Sequence, residues 1–368
     1  MKHCVRCVIP DTRPGIRFDE EGVCQACRAA EKKKKTDWEA RFRELEAFCE
    51  KYRGCRGDGY DCIIAVSGGK DSHFQTYVMK EQMNMNPLLV TVDNLSWTET
   101  GRHNIQNLSE AFGCDILSLS LNRRVAKKMV RKAFETLGSP TWYWDRAVYA
   151  FPLRMAIQMG IQVVVYGENI NYEYGGAQRK ETYSAKDQIH NDVVKEVALD
   201  SWLDEDISMK DLNPILYPSD EEIERAGLEP TYLSYFVPWD GYRNHLIAKR
   251  FGFKTLAHEW NREGFIEDYD QIDSPGYLVH PWLKYPKFGH ARTTDVCCNL
   301  IRTGRMTREQ AVELVREHDH KLDQRALDDF LAFTGYTTRE FWDIVDRFYN
   351  RDLFEQVRGE WRLKRPVE

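Results

Sequence analysis

The chain has 368 residues, 42% of them apolar, and a formal charge of −6 from 52 basic and 58 acidic side chains. At roughly 150 residues per domain this length allows two or three units around a sizeable core, and the acidic balance counts against a chain whose main partner is nucleic acid. No apolar run is long enough to span a bilayer, and the opening MKHCVRCVIP lacks the apolar core of a secretory signal, so a soluble, cytoplasmic protein with no nucleic-acid or membrane partner is expected.

The first 35 residues read as a metal module. Cys4, Cys7, Cys24 and Cys27 form C-x2-C-x16-C-x2-C, the spacing of four-cysteine zinc sites, in which each pair turns two thiolates toward one ion. Pro10, Pro14, Gly15 and Gly22 break any helix between the pairs, so so short a ribbon would depend on metal for its fold. A structural Zn²⁺ closed by four thiolates is the favoured reading; an iron–sulfur cluster uses the same ligation, and His3 is a spare ligand. Lys32 to Lys35 reads as a solvated helix start.

Residues 36–60 read as a linker whose Trp38, Phe42, Leu45 and Phe48 recur at helical spacing. From 61 to about 300 the pattern alternates. Strands are expected at 62–66, 87–92, 115–119 and 161–166, and helices at 71–83, 101–112, 123–137 and 145–159. The run Cys62-Ile63-Ile64-Ala65-Val66 suits a strand buried on both faces, so an α/β fold with a doubly wound parallel sheet follows. Residues 301–368 show apolar groups at helical spacing and read as a C-terminal helical region.

Ligands in such sheets bind beyond the carboxyl ends of the strands. Three polar clusters fall there: Ser67-Gly68-Gly69-Lys70-Asp71-Ser72, Asp93-Asn94, and Gly167-Glu168-Asn169. In the first, two glycines permit close approach of an anion, the following helix start offers unpaired N–H groups, and two serines add hydroxyl donors. The Walker A spacing is absent, because no glycine stands five residues before Gly69. A kinase-type phosphate loop is therefore excluded.

Ser-Gly-Gly-Lys-Asp-Ser after a buried strand resembles the PP-loop of the N-type ATP pyrophosphatases, which cleave ATP between the α and β phosphates. The resemblance implies that Ser67, Gly68, Gly69, Asp71 and Ser72, with Lys70, cradle pyrophosphate, and that Asp93, Asn94, Gly167 and Glu168 also serve ATP. More of the chain is similar to the N-acetyl sugar amidotransferases of surface-polysaccharide biosynthesis (WbpG/PseA-like). The matching features are the cysteine pairs, Gly167-Glu168-Asn169, Tyr174-Gly175-Gly176, Tyr235, Trp239-Asp240, the stretch from Lys287 to Asp295, and that from Ile301 to Glu309.

That family turns an acetamido group of a nucleotide-linked N-acetyl sugar into an acetamidino group by joining its oxygen to AMP and letting ammonia displace AMP. The resemblance implies ATP and Mg²⁺ as cofactors, with Asp71, Glu168 or Glu173 near the metal. It implies Asn169, Tyr174, Tyr235 and Trp239 at the sugar, and Asp71, Lys287 and Arg292 as catalytic groups. The sequence has no G-x-C-x-G elbow around Cys114 and no cysteine after Met1, so ammonia is expected from a separate glutaminase (a HisH/HisF-like pair). The rival reading is a PP-loop tRNA sulfur transferase, which would want a basic surface and reactive cysteines, with Cys114, Cys297 and Cys298 the candidates.

Overall fold

A computed structural model of the chain describes residues 1–176, 181–187 and 197–368. Its centre is a five-stranded parallel sheet in the order β3-β2-β1-β4-β5: β1 (Cys62–Ala65), β2 (Pro87–Val92), β3 (Ile116–Leu119), β4 (Val163–Tyr166) and β5 (Glu229–Tyr232). The strand order reverses between β1 and β4, which leaves a crevice at their carboxyl ends. All pairings within this sheet are parallel.

Both faces of the sheet are covered, as the apolar runs require. Cys62, Ile64, Leu89, Val163 and Val165 pack with α2 (Trp38–Glu50), α3 (Lys70–Thr76) and α4 (Glu99–Phe112). Ile63, Leu88, Val90 and Val164 point the other way, against α5 (Arg123–Leu137) and α6 (Trp142–Met159). The period-two alternation thus splits one sheet into two cores. Two short helices precede and follow: α1 (Gln25–Lys33) lies in the cysteine module, and α7 (Ile170–Tyr174) leaves β4.

Two details differ from the sequence expectation within this layer. Helix α3 passes at Tyr77–Gln82 into a π-helix, a wider turn than the α-helix expected to 83. Strand β5 was not expected, because Glu229-Pro230-Thr231-Tyr232 carries a proline and no continuous apolar run; as an edge strand it needs no N–H from Pro230 on its outer side.

Beyond β4 come α8 (Asp220–Arg225), α9 (Gly241–Arg250), α10 (Val279–Trp282), α11 (Lys284–Phe288), α12 (Arg292–Arg302), α13 (Arg308–His318), α14 (Gln324–Thr334) and α15 (Thr338–Asp346). The tail is not purely helical. It closes with an antiparallel hairpin, β6 (Phe354–Val357) and β7 (Glu360–Leu363), turned by Arg358 and Gly359 at positive φ. Val367 then packs into the amino-terminal core with the four module cysteines, Cys297, Cys298 and Ala311. The ends of the chain therefore share one core.

A strap from Glu267 to Ser274 crosses the carboxyl ends of the strands. Thr98 at the start of α4 donates its N–H to Asp273 O (2.9 Å) and its hydroxyl to Ile272 O (2.5 Å). The strap lies so close to α4 that a Cβ on Gly101 would sit 2.5 Å from Asp273 Cα and 2.9 Å from its carbonyl oxygen. Gly101→Ala is expected to cost about 1–3 kcal/mol by this overpacking, measurable by urea denaturation.

Candidate functional site

The loop at the end of β1 is built on one left-handed glycine. Gly68 has φ 86°, and a Cβ there would lie 3.0 Å from the backbone of Ile105 in α4, so a side chain has neither conformation nor space. Ser72 Oγ accepts from Ser67 N–H (2.9 Å), and Ser67 Oγ accepts from Gly69 N–H at 3.4 Å, which closes the loop on itself. Gly69 then starts α3, whose first-turn N–H groups have no acceptor within the helix.

Lys70, only 4% exposed, folds back under this loop. Its ammonium donates to Asp71 Oδ2 (2.6 Å) and to Asp270 Oδ1 (2.8 Å) on the strap. Arg292, at the start of α12, donates to the other oxygen of Asp270. Asn244 in α9 donates to Asp71 Oδ1 (2.8 Å), and Gly241, which opens that helix, stands against the Lys70 stem. Burial alone would discharge these groups, but each sits beside opposite charge. Asp270 is held well below the usual carboxylate range by Lys70 and Arg292, and Lys70 is held above its ordinary value by Asp270 and Asp71.

Glu168 follows β4 in the same crevice. Burial pushes its carboxyl up to about 8; the Asp71 carboxylate adds to the shift and Lys70 opposes it. Tyr174 at the end of α7 is raised by burial, then by Glu168, with Arg292, Asp270 and Lys70 also within its field. Trp239 lies across Gly167 so closely that a Cβ there would meet its ring at 2.9 Å; it meets Phe74 of α3 edge-on. Asn169 is buried and caps α7 by accepting from Tyr172 N–H (3.2 Å).

Other expected residues have prior partners. Asp93 accepts from Trp97 Nε1 and Ser120 Oγ, both at 2.8 Å, and the Asn94 amide donates to Asp273 Oδ2 at 2.8 Å. Tyr235 lies under the Arg41 guanidinium, 3.6 Å from its ring centroid, on the α2 side. Lys287 donates to Gly138 O (2.6 Å) at the end of α5, and in the same segment Lys284 turns to Asp295. The structure thus gathers Lys70, Asp71, Glu168, Tyr174 and Arg292. A groove of about 700 Å³ is lined by Trp38, Phe42, Tyr77 and Leu246 among others, and none of its lining residues belongs to this cluster.

Asp270, Asn244 and Arg262 were not expected from the sequence. Asp270 lies in Glu267-Asp268-Tyr269-Asp270, which reads as a solvated acidic loop. The signal against that reading is Arg262, which donates to the backbone of Asp270 (2.8 Å) and Gln271 (3.0 Å) and to Glu267, folding the acidic run inward.

The cysteine module meets the test for a metal. The Sγ atoms of Cys4, Cys7, Cys24 and Cys27 lie within 4.8 Å of one another and all four residues are buried, a donor set that could hold one tetrahedral ion such as Zn²⁺. Backbone N–H groups of Arg6, Cys7 and Cys24 point at Cys4 Sγ (3.2–3.5 Å), and that of Cys27 at Cys24 Sγ (3.4 Å), as thiolates require.

The module also reaches the site. Arg13 donates to Gly175 O (3.1 Å) and Asp295 Oδ1 (3.1 Å), Gln25 donates to Gly176 O (2.5 Å), Lys33 pairs with Glu173, and Arg302 joins Glu173 O to the cysteine sulfurs. The segment carrying Tyr174 is therefore held by the cysteine module.

What these parts define is a parallel α/β protein with a glycine–serine loop and a buried ion cluster at the strand ends. Residues 230–367, which supply Asn244, Asp270 and Arg292, match the family model described as LPS biosynthesis protein WbpG-like, C-terminal domain. Over 170 residues, 46% of this chain, it is 25% identical to an uncharacterized protein, MJ1599, of Methanocaldococcus jannaschii, and it spans 60% of that protein's length.

Two outcomes are expected. Metal analysis should find one zinc per chain, and Cys24→Ser should lose it and expose residues 1–35 to proteolysis. Because folding raises the Glu168 carboxyl from 4.5 to about 8, its stabilising protonated form is fully present below 4.5 and lost as pH rises through about 8. Glu168→Gln should therefore raise the melting temperature by about 2–4 °C near pH 9, with the gain shrinking toward pH 5 in a calorimetric series.

Proposed function

We propose that the chain is the synthetase subunit of an ATP-dependent amidotransferase, PP-loop in type, acting on a nucleotide-linked N-acetyl sugar in lipopolysaccharide or related surface-sugar biosynthesis. The observation that carries this reading is the meeting of Lys70, Asp71, Asp270 and Arg292. The first two belong to the Ser67–Ser72 loop, and the last two to the WbpG-like region.

In this reading the acetamido oxygen attacks the α phosphorus of ATP, the bond to the β phosphate breaks, and pyrophosphate leaves. Ammonia then adds to the imidoyl carbon and AMP departs with the C–O bond, leaving an amidine after loss of a proton. The chain's part is to position and to stabilise charge. The Ser67 and Ser72 hydroxyls and the amides starting α3 receive the departing pyrophosphate, while Lys70 and Arg292 neutralise its charge. Asp71 and Glu168 are the carboxylates that would hold Mg²⁺, which supplies further neutralisation of the phosphates.

Trp239 over Gly167, with Asn169 and Tyr174 beyond it, offers an aromatic wall for the sugar nucleotide. Ammonia comes from a separate glutaminase. Against a tRNA sulfur transferase stand the cysteines: Cys114, Cys297 and Cys298 are all buried, and burial raises the first two thiols, Cys297 to about 12, which suppresses thiolate chemistry.

Incubation with ATP, Mg²⁺, ammonium and a panel of nucleotide-linked N-acetyl sugars is expected to give AMP, pyrophosphate and a sugar with one oxygen replaced by NH. Asp71→Asn should lower the rate by about 10²-fold or more. Formation of ADP would overturn the reading.

A further inference from the structure

Building on the loop's role as a polyphosphate seat, we infer that Asp270 is an internal counter-ion for the phosphate-binding cations, holding Lys70 and Arg292 in the free protein and giving them up to the bound polyphosphate. Three observations carry it. One carboxylate takes both cations, Lys70 on Oδ1 at 2.8 Å and Arg292 on Oδ2, although the two come from opposite ends of the domain. Both cations are buried, with side chains 5% and 14% exposed, so neither can stand uncompensated while the site is empty.

The strap's backbone is also fastened independently of that carboxylate. Arg262 holds the carbonyls of Asp270, Gln271 and Glu267, Glu267 Oε2 accepts from the N–H groups of Tyr269 and Asp270, and Thr98 holds Ile272 and Asp273. Gln271, at φ 51°, fixes the turn between these anchors. The Asp270 side chain can therefore change partners while the chain that bears it stays in place.

The charge balance gives the sense of the effect. Lys70 and Arg292 are matched by Asp71 and Asp270, so an entering phosphate competes with a carboxylate already on the same N–H donors. Removing the charge of Asp270 leaves the pair one anion short. Affinity for polyphosphate then rises and release of pyrophosphate slows, so Asp270 acts as a positioning residue that sets how readily the product leaves.

The test is calorimetric titration of the full-length wild type, Asp270→Asn and Asp270→Ser with inorganic pyrophosphate, with and without Mg²⁺. Both variants are expected to bind metal-free pyrophosphate about tenfold tighter than wild type, with a larger pyrophosphate-induced rise in melting temperature even where the free variant is less stable. Equal or weaker metal-free binding by the variants would overturn the inference and leave the polyphosphate seat standing. Weakening confined to Mg²⁺-containing titrations would make Asp270 a metal ligand and equally overturn it. Wild type that binds no pyrophosphate would remove the seat itself, and the inference with it.

Discussion

One carboxylate between two buried cations is the constraint on which the centre of this protein depends. Lys70 reaches Asp270 from the loop after β1, and Arg292 reaches it from α12, more than two hundred residues later. Each side chain would be costly to bury alone, and together they fasten the carboxyl-terminal half across the crevice of the sheet. The glycines do the complementary work. Gly68, Gly101 and Gly167 stand where the Ile105 backbone, the strap and Trp239 come within about 3 Å of a would-be Cβ, so no larger residue fits at these three places without a shift.

The cysteine module is a second fastening on the same crevice rather than an appendage. Arg13, Gln25 and Lys33 leave it to hold Glu173, Gly175 and Gly176, and Arg302 runs from those residues back to the cysteine sulfurs. A small ribbon has little apolar surface of its own, and this one completes its core with Cys297, Cys298 and Ala311 from the far end of the chain. The cysteine cluster, the ribbon and α12 thus form one structural unit. Tyr174 inherits its position from that unit.

The legible parts of the fold were those with a strong local signal. Runs rich in Val, Ile and Leu marked β1, β2 and β4, and C-x2-C spacing marked the four sulfurs that the structure brings within 4.8 Å. Strand β5 and the terminal hairpin gave no such signal, since proline and charged residues interrupt their apolar positions and their partners, not their own residues, make them strands. The same limit governs the site. The Ser67–Ser72 loop is written in consecutive residues, whereas Asp270 acquires its role from side chains at 70 and 292 that only the folded chain brings together. Lys287 shows the converse, since a basic residue in a loop-like stretch looked free for phosphate but has Gly138 as a partner.

The shared core of residues 8, 9 and 367 bears on how the chain folds. Val8 and Ile9 pack in the same cluster as Val367, a contact of very long sequence separation, whereas the parallel strands pair between segments closer along the chain. In folding, therefore, the ribbon's thiols and apolar face stay uncovered until this distant contact closes. A metal ion held by the four thiolates would fix that ribbon without waiting for its distant partner.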